Sequence, residues 1–208
     1  MPLDLKTLVA PSHTALVTQE CQEGVLGASS SLPALAEAAR QAGMVERIDA
    51  LTTAARAAGV AVVHCLIARR PDNRGSNRNA RLFVAAGRSP RRMVHASAAA
   101  RLVSGIRQEE SDLVLTRMQG LSPMTGTELD PVLRHLGCTT IVGVGVSVNV
   151  AITNFAFDAV NRGYQFVIPR DAVTGVPADY AEQVLDNALS LVATVTHTAA
   201  LLDAWGAD

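Results

Sequence analysis

A chain of 208 residues, 49% of them hydrophobic, can bury one sizeable core, whereas two half-length domains would each be marginal, so a single domain over residues 1–208 is expected. The formal net charge of −1 leaves no field of either sign to draw a nucleic acid or an anionic membrane surface. No apolar run reaches the length of a membrane span and the N-terminus lacks a basic stretch followed by an apolar one, so a soluble protein that acts on small molecules or meets protein partners is expected.

Three cysteines, Cys21, Cys65 and Cys138, are odd in number and lie in or beside apolar runs. This pattern reads as reduced, buried thiols and favours the cytoplasm. All but one of the 18 basic residues are arginine, and Lys6 is the sole lysine, so chemistry that needs a lysine at a site must use Lys6 or fail.

In chain order, short valine-rich apolar runs at residues 15–19, 60–67, 112–117, 140–145 and 165–169 predict strands covered on both faces. Between and after them, apolar residues at three- and four-residue spacing predict helices over 45–58, 128–136, 149–162, 178–195 and 198–205. Such alternation is the mark of βα units on a parallel sheet. Thr127 is placed to cap a helix that carries Pro131 in its first turn and stops at Gly137. Two segments, 27–43 and 68–100, read as long inserts between core elements. The second holds eight arginines between Arg69 and Arg92. It reads either as a solvated loop or subunit contact, or as a lid in which one or two arginines meet a carboxylate ligand.

The stretch "VGVGVSVNVA", residues 142–151, is built like a strand-to-helix turn that holds a ligand, yet it offers no Cys, His or acid. His64, in "VAVVHCLI", is either a satisfied core group or an acid/base partner reaching toward Glu20. No paired His, Cys or acidic spacing suggests a metal.

The segment "TALVTQECQEG" and the block from "LSPMTGTELDPVLRHLG" through "VIPRDAVTG" resemble the isochorismatase-like hydrolase superfamily, which includes nicotinamidases and N-carbamoylsarcosine amidase. Ser122, Gly126, Thr127, Leu129, Leu133, Leu136, Gly137, Gly145, Val146, Asp158, Ala159, Asp171 and Ala172 fall in register with that family's pattern. The resemblance implies a three-layer α/β/α sandwich around a mostly parallel six-stranded sheet, assembled as a homodimer or homotetramer. It also implies an Asp base, a Lys and a Cys nucleophile, and here those positions carry Glu20, Met118 in ungapped register, and Ala151. Arg117 is one residue from the lysine position and would face the site only across a strand bulge, because a one-residue slip reverses the face.

These substitutions lead to two expectations. One is a hydrolase without cofactor or metal, in which Glu20, its pKa raised by burial, acts as acid and then base on a small-molecule substrate. The other is a hydrolase-fold protein that binds a small ligand or partner without cleaving it. Gln22, His64, Arg117, Met118, Ser147, Asn149 and Ala151 are the expected substrate contacts, aided by backbone N–H groups of residues 146–148.

Overall fold

The computed structural model describes residues 4–207. Seven strands form one sheet: β1 (Thr14–Gln19), β2 (Ala61–Ile67), β3 (Leu113–Arg117), β4 (Thr140–Val146), β5 (Gln165–Pro169), β6 (Val173–Thr174) and β7 (Thr194–Thr196). Their order is β3-β2-β1-β4-β5-β7, with β6 paired to the end of β4, and every pairing is parallel. Six strands thus make the continuous path, as the resemblance implied, and β6 adds a two-residue extension.

Helices cover both faces. Those described are α1 (Leu5–Leu8), α2 (Glu23–Leu26), α3 (Pro33–Gln41), α4 (Met44–Ala58), α5 (Arg81–Arg88), α6 (Leu129–His135), α7 (Thr153–Asn161), α8 (Ala178–Asn187) and α9 (Thr198–Ala204). The period of two along each strand splits its side chains between two cores. Leu16, Val62, Val142 and Val144 meet Met44, Ile48 and Leu51 of α4 and Leu201 of α9. Ala15, Val17, Val63 and Ile141 meet Leu129 and Leu133 of α6, Phe155 of α7 and Leu185 of α8. Phe155 and Phe166 stack edge to face at 4.8 Å.

Three expectations change. The helix expected over residues 178–195 ends at Asn187, and the chain continues through a turn at Leu189–Leu191 into β7. Leu189, fully buried, stops the helix against the core, and the β-branched run Thr194–Thr196 then fits the open edge of β5. The two inserts are not featureless, since α3 occupies one and α5 the other. The run at 112–117 is not covered on both faces: β3 is an edge strand with Leu113 and Val114 exposed.

The glycines of β4 have separate reasons. A Cβ on Gly143 would stand 2.4 Å from Cζ of Phe166. Gly145 has φ +112°, and a Cβ there would lie 2.3 Å from the Gln19 carbonyl, so only glycine lets β4 run flush against the end of β1.

Candidate active site

Because the strands are parallel, their carboxyl ends share one edge, where a crevice opens between the neighbours β1 and β4. Glu20 is the first residue past β1. Its N–H still donates to the Cys65 carbonyl at 3.0 Å, continuing the ladder, and its backbone then turns with φ 53°, a conformation that non-glycine residues seldom adopt. Its carboxylate forms an ion pair with Arg117 at the end of β3. Gln19 Nε2 donates both to Glu20 Oε1 and to the Leu121 carbonyl at 3.2 Å, and Arg117 also reaches the Leu121 carbonyl at 3.2 Å. Arg117 is 7% exposed, and its Nε and Nη1 are buried without a partner.

Arg117 reaches Glu20 without a bulge. The β2–β3 register is regular up to Ile67 opposite Arg117, so Leu115 and Arg117 share the inward face. Met118, expected beside Glu20, instead lies 38% exposed in a surface depression with Gln119 and Gly75, outside the Glu20 cavity. The alignment register had placed the wrong side chain inward.

The cavity above Glu20 measures about 210 Å³. Its floor is Glu20, Ser147 and Ala151, and its walls are mainly apolar side chains of α3, α5 and the turn after β4, including Leu35, Phe83 and Val150. Ala151 sits in a single π-helical turn, Val148–Ile152, that precedes α7, and presents a methyl where the resemblance implies a thiol. The Val146–Ser147 peptide before it is cis.

Other expected contacts lie elsewhere. His64 is fully buried behind the site, with Nδ1 2.9 Å from Thr18 Oγ1 and Nε2 3.2 Å from Asp112. A carboxylate only accepts, so Nε2 carries the proton, and Nδ1 accepts from the Thr18 hydroxyl. Burial depresses the His64 pKa despite the opposing Asp112 contact. Gln22 is spent as a clamp: its amide donates to the carbonyls of Ile67 and Ala100 at 2.9 and 2.8 Å and accepts from Ile67 N–H at 2.9 Å. Asn149 donates to the Val176 carbonyl at 3.2 Å and lies against Gly175, away from the cavity. Two residues on from Ser147, Asn149 falls on the opposite side of this turn from the face that carries Ser147 and Ala151.

The cysteines stand outside this cavity. Burial first, and Glu20's charge second, push the Cys21 thiol up, while burial pushes Cys65 up to about 12 and Cys138 upward as well. Among the described residues, no three His, Cys, Asp or Glu side chains are grouped to hold a metal ion, so the donor set does not fit a metal centre. No described helix is long and apolar enough to cross a membrane.

Sequence reasoning by itself missed Gln19, which bridges Glu20 to the Leu121 loop, and left Arg69 as one of eight arginines. Arg69 lies two residues past β2, at the same sheet edge as Glu20, and proximity to a strand end is the signal that singles it out.

The architecture is a three-layer α/β/α sandwich of doubly wound type, with a carboxylate and a guanidinium paired at the carboxyl edge of its parallel sheet. The chain belongs to the isochorismatase-domain family, whose profile matches residues 14–200. A cysteine hydrolase from Pseudomonas syringae pv. phaseolicola 1448A superposes with a TM-score of 0.84 at 22% identity, covering 96% of this chain and 95% of that one. An isochorismatase family protein from Desulfovibrio vulgaris subsp. vulgaris str. Hildenborough gives 0.76 at 25%, covering 94% and 99%. The N-carbamoylsarcosine amidase from Thermoplasma acidophilum gives 0.70 at 22%, covering 89% and 96%. Likeness at 22% identity speaks for the fold alone. No curated protein matches the chain.

Proposed function

We propose that this isochorismatase-family protein hydrolyses a small molecule with water directed by Glu20, without a thiol nucleophile. The observation that carries the reading is Glu20, ion-paired to Arg117 and lining a small cavity that Ala151 also borders. An ion-paired carboxylate offers lone pairs rather than a proton, which suits a base better than the acid-first order expected from the sequence. The methyl of Ala151 leaves the room of a thiol open to a water. Glu20 takes one proton from that water as its oxygen bonds to the electrophilic carbon. The same proton then passes to the departing heteroatom as its bond to that carbon breaks. Arg117 positions the carboxylate throughout, and Ser147 can hydrogen-bond the substrate.

The test is Glu20→Gln, assayed on a panel of small esters, amides and vinyl ethers. Turnover of the best substrate is expected to fall about 10²–10⁴-fold, the usual contribution of a general base, with KM little changed. Unchanged kcat for every substrate would remove Glu20 from the chemistry.

A second reading, ligand binding without cleavage, is favoured by the apolar walls of the cavity. It predicts thermal stabilisation by panel members with no product, because a ligand that binds only the folded state raises its apparent stability. Product in the same samples excludes it.

A further inference from the structure

We propose that Arg69 is the anion-recognition residue of this cavity and that the substrate is a small apolar carboxylate. The inference rests on the cavity assigned above and names what fills it.

Arg69 is 6% exposed, yet none of the ion pairs among the described residues includes it. Its one side-chain hydrogen bond among the described residues is a long one, Nη1 to the Phe83 carbonyl at 3.5 Å. A buried guanidinium without an ion-pair partner is costly, since its desolvation outweighs the more distant charge of Glu20. Its backbone leaves it little freedom to escape: Arg69 N–H donates to the Met93 carbonyl at 2.8 Å, and His95 N–H donates to the Arg69 carbonyl at 3.0 Å.

The guanidinium borders two cavities, the one over Glu20 and a second of about 320 Å³ beneath α5 that also receives Arg78 and Arg88. Segment 69–92 carries eight arginines and one acid, Asp72, which is already taken by Arg70 at 2.9 Å. No acid of this segment pairs with Arg69, which feels Glu20 only from beyond ion-pair distance. Glu20, the acid on the cavity floor, is committed to Arg117.

The planar fork of an arginine matches a carboxylate in two parallel hydrogen bonds. Beside it stand Leu35, Leu82, Phe83, Met93 and Val150, which suit a hydrocarbon body and offer it no polar partner. A volume of about 210 Å³ is below the roughly 300–1,000 Å³ of common ligand cavities, which restricts that body to one ring or a short chain. With its carboxylate on Arg69, such a molecule keeps its charge off Glu20 and leaves its other end for the floor at Glu20 and Ala151.

The experiment is equilibrium binding by titration calorimetry, with phenylacetate and hexanoate against their neutral counterparts 2-phenylethanol and 1-hexanol. None of the four can be hydrolysed, so the readout is independent of turnover. The wild type is expected to bind at least one acid about tenfold or more tightly than its alcohol. Arg69→Met is expected to abolish that preference while melting at or above the wild-type temperature, because it removes a buried cation that has no ion-pair partner. Arg81→Met, in the same arginine-rich segment but at an exposed position bordering neither cavity, is expected to keep the preference. Arg69→Lys, which retains the charge but not the fork, is expected to bind the acid several-fold more weakly and supplies the same comparison should Arg69→Met fail to fold.

Equal binding of acids and alcohols by the wild type, or a preference that survives in Arg69→Met, overturns the proposal. So does a preference lost equally in Arg81→Met, which would assign it to the general field of the segment. An Arg69-dependent preference in a protein that cleaves nothing would defeat the hydrolase reading alone. Ester or amide cleavage without the preference would defeat this proposal alone.

Discussion

At the scale of single residues, the site depends on which side chain of the pair Arg117 and Met118 turns inward. Arg117 does, and its guanidinium is the one side-chain cation paired with the Glu20 carboxylate among the described residues. Arg117→Met leaves that carboxylate with Gln19 as its remaining side-chain donor. The substitution is expected to cost about 1–3 kcal/mol of folding stability, the usual penalty for stranding a largely buried polar group, as read by urea denaturation. Arg117→Lys should recover part of the loss. A midpoint unchanged in Arg117→Met would show that solvent replaces the pair at no cost. Ser147 was legible from the strand-to-helix turn after β4, and Glu20 and Ala151 from the family pattern that the sequence resembles. Gln22 and Asn149 were not, since both find backbone partners that are distant in sequence and that no local pattern announces.

At the scale of elements, β2 and β3 are tied beneath the site by a buried chain of polar groups. Thr18 of β1 meets His64 of β2, His64 meets Asp112 just before β3, and Arg56 of α4 grips both Asp112 oxygens at 2.8 Å. Burial tends to raise the Asp112 pKa, but the bonds from Arg56, the Glu109 N–H and His64 outweigh it and leave the carboxyl below its ordinary value. His64 is depressed by burial, so the unfolded chain binds the proton more readily than the native one. Its contribution is therefore complete above the ordinary histidine value near 6.5 and declines as pH falls below it. The Asp112 contribution, present above the ordinary aspartate range, is lost only in stronger acid. Stability is expected to drop between pH 7.5 and about 5.5, and His64→Gln should flatten that slope, measured as urea midpoints across the range. An identical slope in the variant would mean that His64 does not carry the linkage. The same element scale explains why the helix expected over residues 178–195 ends early. The apolar spacing of residues 178–195 suits a helix throughout, and only the vacant edge of β5 draws Thr194–Thr196 into a strand.

At the scale of the whole molecule, one sheet lies between two cores, and in one of them the segments before β1 and after α9 are joined: Trp205 Nε1 donates to the Val9 carbonyl at 2.9 Å. Because every layer rests on that sheet, unfolding is expected in one transition, with Trp205 fluorescence and far-UV circular dichroism superimposing. Separate midpoints would show that the terminal segments part from the sheet before it melts.

The sequence by itself determined the alternation of strands and helices, because periodicity, caps and glycine stops are short-range signals that act within a few residues, and its resemblance to the isochorismatase-like pattern implied the α/β sandwich and the family. Only the tertiary structure decided that Arg117 and not Met118 faces Glu20, that His64 is a structural link, and that Arg69 alone of its arginine-rich segment is buried without an ion-pair partner. These outcomes depend on which strand ends meet across the sheet and on what α5 covers, and contacts of that kind between segments tens of residues apart leave no mark on local pattern.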